Sequence, residues 1–279
     1  MHSIRLIAMD MDGTLLDQRQ AIPEENLTVL REAAQKGIHL AICSGRSAAD
    51  ISYFASDAGL DSCHVLALNG ACCLDTPHGK PYAVHTVPDA VARQVLTVLL
   101  RNQVTFACFQ AERVIVLENS PSTHRLNWGT YVARGNADAY AYGEEALRRY
   151  LPEGICKFVY IDEDRSPRLE RVRQELLPIA GLTVTSSWSD NLELMPEGVG
   201  KGIALKELAT RLQVPAAQVM ALGDYDNDLE MIAFAGCGVA MGNASERIKQ
   251  TARHTTLTNE QNGVAAAIRR YALPLEPQC

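Results

Sequence analysis

Two aspartates one residue apart, Asp10 and Asp12, close the apolar run Ile4 to Met9 and are followed at once by Gly13 and Thr14. Polar groups follow two other apolar runs in the same way: Ser44 comes after IHLAIC and Asp224 after VMALG. In an open α/β sheet, ligands gather beyond the carboxyl ends of the strands, so these distant segments would deliver their side chains to one edge. The resulting set is rich in oxygen. Asp10 and Asp224 suit a hard cation, and Ser44 suits a hydrogen bond to a ligand oxygen. A few carboxylates with room left for water fit Mg²⁺ better than Ca²⁺ or zinc. DYDNDL is no EF-hand, since the glycine needed at its sixth position is absent and Ala235 stands where the bidentate glutamate belongs. GVGKG is no P-loop, because Gly202 occupies the position that requires serine or threonine.

The elements that must hold these residues follow from periodicity. Ile4 to Met9 is a short, nearly continuous apolar run, as expected of a strand covered on both faces. Pro23 opens a segment with Leu27, Leu30 and Ala34 on one face and Lys36 and Gly37 at its end, which reads as a helix. IHLAIC and HVLALNG read as the next strands. GKGIALKELATRL reads as a helix, VMALG as a strand, the stretch through Leu229 and Ile232 as a helix, and CGVAM as a strand. This alternation predicts an α/β, doubly wound parallel-sheet (Rossmann-like) core built from residues 1–84 and 191–279. Between them, residues 85–190 change grammar. Helical stretches at Ala90 to Leu100, Glu144 to Leu151 and Arg168 to Leu177 interleave with VTFACF, RVIVL, CKFVYI and LTVTSSW, which predicts an inserted α+β domain.

Composition narrows the function classes. At about 150 residues per domain, 279 residues allow two domains, and 47% hydrophobic with 21% charged residues is ordinary for a globular chain. A net charge of -7 disfavours nucleic acid as the main partner, because polyanion binding needs a cationic face. Asp10 interrupts the first apolar run, and no window reaches the roughly 20 apolar residues that span a bilayer, so the expectation is a cytoplasmic protein without a membrane partner. Cys43, Cys63, Cys72, Cys73, Cys108, Cys156, Cys237 and Cys279 form no CxxC pair and are expected to be reduced thiols packed as small hydrophobes.

DMDGTLLD, CSGR, GVGKGIAL and GDYDND, in that order, resemble the four motifs of haloacid dehalogenase-like phosphatases. The large insertion resembles the C2-type α+β cap of the Cof-type subfamily. The resemblance runs from Ile4 to about Thr258. It implies that Asp10 is a nucleophile that attacks phosphorus and a metal ligand. It implies that Asp12 is the general acid and base, with its backbone carbonyl on the metal. Met11, Ser44, Gly45 and Asn227 resemble phosphate contacts. Lys201 resembles the cation that holds Asp10 and phosphate together, Asp224 a metal ligand, and Asp228 a further metal neighbour or a group that orients the ligands. Gly13 would let the chain turn sharply and Thr14 would support the loop. The implied activity is Mg²⁺-dependent hydrolysis of a small phosphorylated metabolite, a sugar phosphate or phosphorylated cofactor, through an aspartyl-phosphate on Asp10. The alternatives are a phosphotransferase or phosphomutase using the same nucleophile, and a non-catalytic sugar-phosphate sensor.

Several residues also have plainer readings. Ser44 could cap the helix that follows, Lys201 could be a surface lysine, and Asp226 is expected to face solvent. Arg46 is read as an ion-pair partner or an anion contact, and Asn69 and Gly70 as a turn or a substrate-facing edge. His124, Arg125 and Trp128 in the insert are read first as packed or solvated groups. Asn243, with Glu246 three residues on, is read as a helix cap rather than a glycosylation site.

Overall fold

The computed structural model describes residues 3–117, 140–162, 164, 166–186 and 189–273. His124, Arg125, Trp128, Ser187, Trp188 and Cys279 lie outside the described residues. The first strand, β1 (Leu6–Met9), has all four side chains buried, as its unbroken apolar run requires. Helix α1 (Glu24–Gln35) follows and buries Val29, Leu30 and Ala33. Then come β2 (His39–Cys43), α2 (Ala48–Asp57) and β3 (His64–Ala67). Ser47, whose hydroxyl accepts from the Asp50 amide, caps α2, so Ser44 is not its cap. Beyond β3 the chain turns back through β4 (Cys72–Leu74) and β5 (Pro81–Val84), which pair antiparallel. The sheet is therefore mixed rather than wholly parallel.

The insert begins with α3 (Asp89–Arg101), β6 (Phe106–Phe109) and β7 (Val114–Val116). It continues with β8 (Tyr140–Tyr142), α4 (Gly143–Tyr150), β9 (Lys157–Ile161), α5 (Pro167–Leu176) and β10 (Leu182–Thr185). Strand β11 (Asn191–Pro196) lies just past the boundary expected at residue 191. It pairs antiparallel with β9 and β10, so the chain stays in the second sheet through Pro196. The second sheet, in order β10-β11-β9-β6-β7-β8, is antiparallel except between β7 and β8. Its alternating side chains divide by the period of two. Phe106, Cys108, Phe158, Tyr160, Leu192 and Leu194 pack with Val95, Leu99, Val172 and Leu176 of the insert's helices. Ala107, Phe109, Val159 and Ile161 instead join the apolar cluster of the first sheet, which seats the insert on the core.

The chain returns to the first sheet through α6 (Lys201–Arg211), β12 (Val219–Gly223), α7 (Leu229–Phe234), β13 (Cys237–Ala240), α8 (Glu246–Thr251), β14 (His254–Thr255) and α9 (Gly263–Tyr271). The sheet order is β14-β13-β12-β1-β2-β3-β4-β5. Strand β1 pairs in parallel with β2 on one side and β12 on the other, so the strand order reverses at β1. That reversal opens a crevice at its carboxyl end, and Asp10 is the next residue. Among the described residues no helix is long and apolar enough to cross a membrane.

Candidate active site

Asp10 is fixed at the crevice by its amide, which donates to the Leu222 carbonyl of β12 at 3.0 Å. The turn that follows closes on Met11, whose carbonyl accepts from the amides of Thr14, Leu15 and Leu16. Gly13 has a reason in this turn. Its φ is +82°, and a Cβ there would lie 2.4 Å from Asp224 Oδ2. The close approach lets Thr14 Oγ1 donate to Asp224 Oδ1 at 2.9 Å, tying the first aspartate loop to the loop after β12. Asn243 Nδ2 donates to the Gly13 carbonyl at 2.8 Å, and Ser245 caps α8 in its place. Asn243 is thus a brace for the aspartate turn and not the helix cap its sequence suggested.

Lys201 opens α6 and is buried. Its ammonium donates to Asp10 Oδ1 at 2.5 Å and to Asp228 Oδ1 at 2.7 Å. Asp228 Oδ2 accepts from the backbone amides of Asp224 (2.9 Å) and Tyr225 (3.1 Å), so both of its oxygens are engaged by donors. Asp10, Asp224 and Asp228 each present an oxygen within 4.8 Å of the others. Burial raises the Asp10 carboxyl well above the usual range against the pull of Lys201, and the charges of Asp228, Asp224 and Asp12 add to the rise. Burial and the Asp228 charge push Asp224 up to about 7, against the hydrogen bond from Thr14. Burial alone would lower Lys201, but Asp10 and Asp228 hold it protonated above the ordinary lysine range. The cluster carries more negative charge than one ammonium balances, and its donors are carboxylate oxygens without imidazole or thiolate. That donor set fits a hard divalent cation such as Mg²⁺.

The second loop meets the same edge. The Ser44 amide donates to Leu66 (3.0 Å), and the Ser44 and Arg46 carbonyls accept from the amides of Asn69 and Leu68, both at 2.9 Å. Leu68, Asn69 and Gly70 have φ of 51°, 56° and 94°, three successive left-handed residues in a turn that packs against the start of α6. Such backbone costs on the order of 1–3 kcal/mol at each non-glycine position and persists only where its surroundings hold it. Asn227 Nδ2 donates to Asn69 Oδ1 at 3.3 Å, which links the fourth loop to the second. Asp226 faces outward and pairs with Arg247 at 3.1 Å. Asp12 is gripped by Arg46, Nε to Oδ2 at 2.8 Å and Nη2 to Oδ1 at 2.6 Å, with Gln20 also on Nη2. Arg46 is therefore an ion-pair partner. Two charged residues of the insert that the sequence reading passed over, Lys157 and Glu193, also reach this edge. Lone charges inside strands read from sequence as solvent-facing.

A profile of haloacid dehalogenase-like hydrolases matches residues 7–268. The 5-amino-6-(5-phospho-D-ribitylamino)uracil phosphatase YcsE of Bacillus subtilis (strain 168) is 33% identical over 97% of this chain and 96% of its own. Phosphatase YwpJ of the same organism is 31% identical over 94% of this chain and 98% of its own. The crystal structure of a haloacid dehalogenase-like hydrolase from Bacteroides thetaiotaomicron superimposes with a TM-score of 0.82 at 30% identity, covering 96% of this chain and 99% of that one.

Proposed function

We propose, from the premise that this chain belongs to the haloacid dehalogenase-like hydrolases, that Asp10 is the nucleophile of a phosphatase acting on small phosphate monoesters. The observation that carries the reading is the buried contact of Lys201 with Asp10 at 2.5 Å, beside Asp224 and at the reversal point of the sheet. Lys201 keeps Asp10 aimed into the crevice. An Asp10 oxygen attacks phosphorus, the P–O bond to the alcohol breaks, and the Asp12 carboxyl gives its proton to the departing oxygen. The Asp12 carboxylate then takes a proton from water, whose oxygen displaces Asp10 from phosphorus and releases phosphate. Both Asp12 oxygens accept from Arg46, so one must be freed for each transfer.

Ser44 and the amides of Met11 and Gly45, with Asn227, receive the phosphoryl oxygens, and the N-terminus of α6 adds to the Lys201 charge there. Asp10, Asp224 and the Asp12 backbone carbonyl would hold Mg²⁺, which when bound neutralises charge on the phosphoryl group. Asp228 acts on Lys201 and on the loop after β12 and orients rather than ligates. The core is residues 1–84 and 197–279, and the insert, residues 85–196, is a cap that covers the site and receives the leaving group. The YcsE relative, whose name specifies a phosphorylated ribitylamino compound, supports a polyol or sugar-like leaving group. The described cysteines are all free, buried thiols, which supports a reducing cytoplasmic setting.

The test is phosphate release from p-nitrophenyl phosphate. Wild-type protein should turn over with Mg²⁺ and lose activity with a chelator, and Asp10→Asn should abolish turnover while keeping the fold. Turnover by that variant would assign the nucleophile elsewhere.

A further inference from the structure

Lys157 begins β9 and Glu193 lies on β11, both on the insert, and both are buried. They form an ion pair at 3.2 Å. Each also bonds a loop of the first sheet. Lys157 Nζ donates to the Gly45 carbonyl at 2.6 Å, and Glu193 Oε2 accepts from Asn69 Nδ2 at 2.6 Å. No gap separates the pair from these loops. A Cβ on Gly45 would lie 3.3 Å from Asn69 Oδ1 and 3.4 Å from both Glu193 Oε1 and Lys157 Nζ. A buried ion pair is a weak source of stability, because desolvation consumes most of the attraction, so its contacts matter more than its existence.

The direction of the hydrogen bonds is informative. An ionised glutamate only accepts, so Asn69 must turn its NH₂ to Glu193 and its oxygen the other way. That oxygen then faces Asn227 as an acceptor, which obliges Asn227 to present its NH₂ and leaves a second N–H for a ligand. The Asn69 backbone is bonded to Ser44 as well, so one insert carboxylate sets the polarity of a relay crossing two phosphate loops. Lys157 acts alongside it by holding the Gly45 carbonyl, the group that fixes the peptide plane of the same loop.

We infer that Glu193 and Lys157 are positioning residues for the phosphoryl pocket, through which the insert completes the phosphate-binding groups of the core. This rests on the phosphatase reading above. It is distinct from recognition of the leaving group, and inorganic phosphate, which has none, separates the two roles.

The experiment compares wild type, Glu193→Gln, Asn69→Ser and the double variant. It measures KM and kcat for an aryl phosphate and a hexose phosphate, and Ki for inorganic phosphate. Removing the charge that keeps this position acceptor-only, and with it the fixed orientation of Asn69, should raise the phosphate Ki about tenfold in Glu193→Gln and raise KM by the same factor for both esters, with a smaller fall in kcat. Asn69→Ser should do the same, and the double variant should be no worse than either single one. An unchanged phosphate Ki with unequal KM changes for the two esters would instead make Glu193 a reader of the leaving group and overturn the proposal. Additive effects in the double variant would also overturn it. Melting curves verify folding, and if Glu193→Gln does not fold, Asn69→Ser carries the same expectation with the ion pair intact. Should wild type bind phosphate yet turn over neither ester, the phosphatase reading fails while the Ki comparison, made as phosphate binding, still decides the positioning role.

Discussion

Replacing Lys201 by methionine removes the cation from the middle of the acidic cluster while keeping much of the side chain's apolar volume. The ammonium bonds two carboxylates, and its side chain is 1% exposed, so solvent does little to screen the loss. Breaking a buried pair by deleting one partner costs about 3–5 kcal/mol. At about 2–4 °C per kcal/mol for a chain of this size, melting should fall by roughly 6–20 °C at pH 8 in the presence of a chelator. The pH dependence gives the sharper test. Asp10 and Asp224 already have raised pKa values in the folded protein, and Lys201 opposes the rise in both, so its removal raises them further. A carboxyl whose folded pKa exceeds its unfolded value binds more protons when folded. It therefore stabilises at low pH and loses that contribution as pH climbs through the folded value. The deficit of Lys201→Met relative to wild type should thus be largest near pH 8 and shrink toward pH 5. Scanning calorimetry from pH 5 to 8 measures it. A deficit below about 1 kcal/mol, or one equal at both ends of the range, would refute the account of the cluster as charge held in check by this lysine.

Two further outcomes follow from the same geometry. Stabilisation of wild type by Mg²⁺, followed as a melting shift at fixed concentration, should grow from pH 6 to pH 8 with a midpoint near the Asp224 value of about 7, because the cation competes with protons for that carboxylate; a flat profile would remove Asp224 from the ligand set. Gly13→Ala should cost about 1–2 kcal/mol from the left-handed backbone alone. It should also cost most of the Mg²⁺ response, since a Cβ 2.4 Å from Asp224 Oδ2 must displace that side chain, so a variant with normal metal response would count against the close approach.

Much of the placement of the candidate site residues was legible because each sits next to its structural cue. Asp10 and Asp224 each follow a wholly apolar strand, and Lys201 opens a helix with a regular apolar face, so strand ends and helix starts could be placed from periodicity. Other features had no local signal. Strands β4 and β5 are three and four residues long, and β4 is turned back against β3 by the left-handed residues Leu68–Gly70, which no apolar pattern announces. In β11 every residue is buried, so its membership of the second sheet depends on hydrogen-bond partners far away in sequence rather than on its own alternation. Lys157 and Glu193 have ordinary charged identities, and only the approach of two sheets makes them interior. Asn243 looked like a cap because Glu246 stands three residues on, but the neighbouring Ser245 takes that role and frees the amide for Gly13.

Strand β11, which bears Glu193, ends at Pro196, and the helix that begins with Lys201 starts five residues later. A graft that exchanges the insert for that of a relative would therefore join the core through a link of only four residues, 197–200, directly before the lysine. The second sheet and the buried ammonium are thus close neighbours along the chain as well as in space: the last strand of that sheet leads almost directly into Lys201.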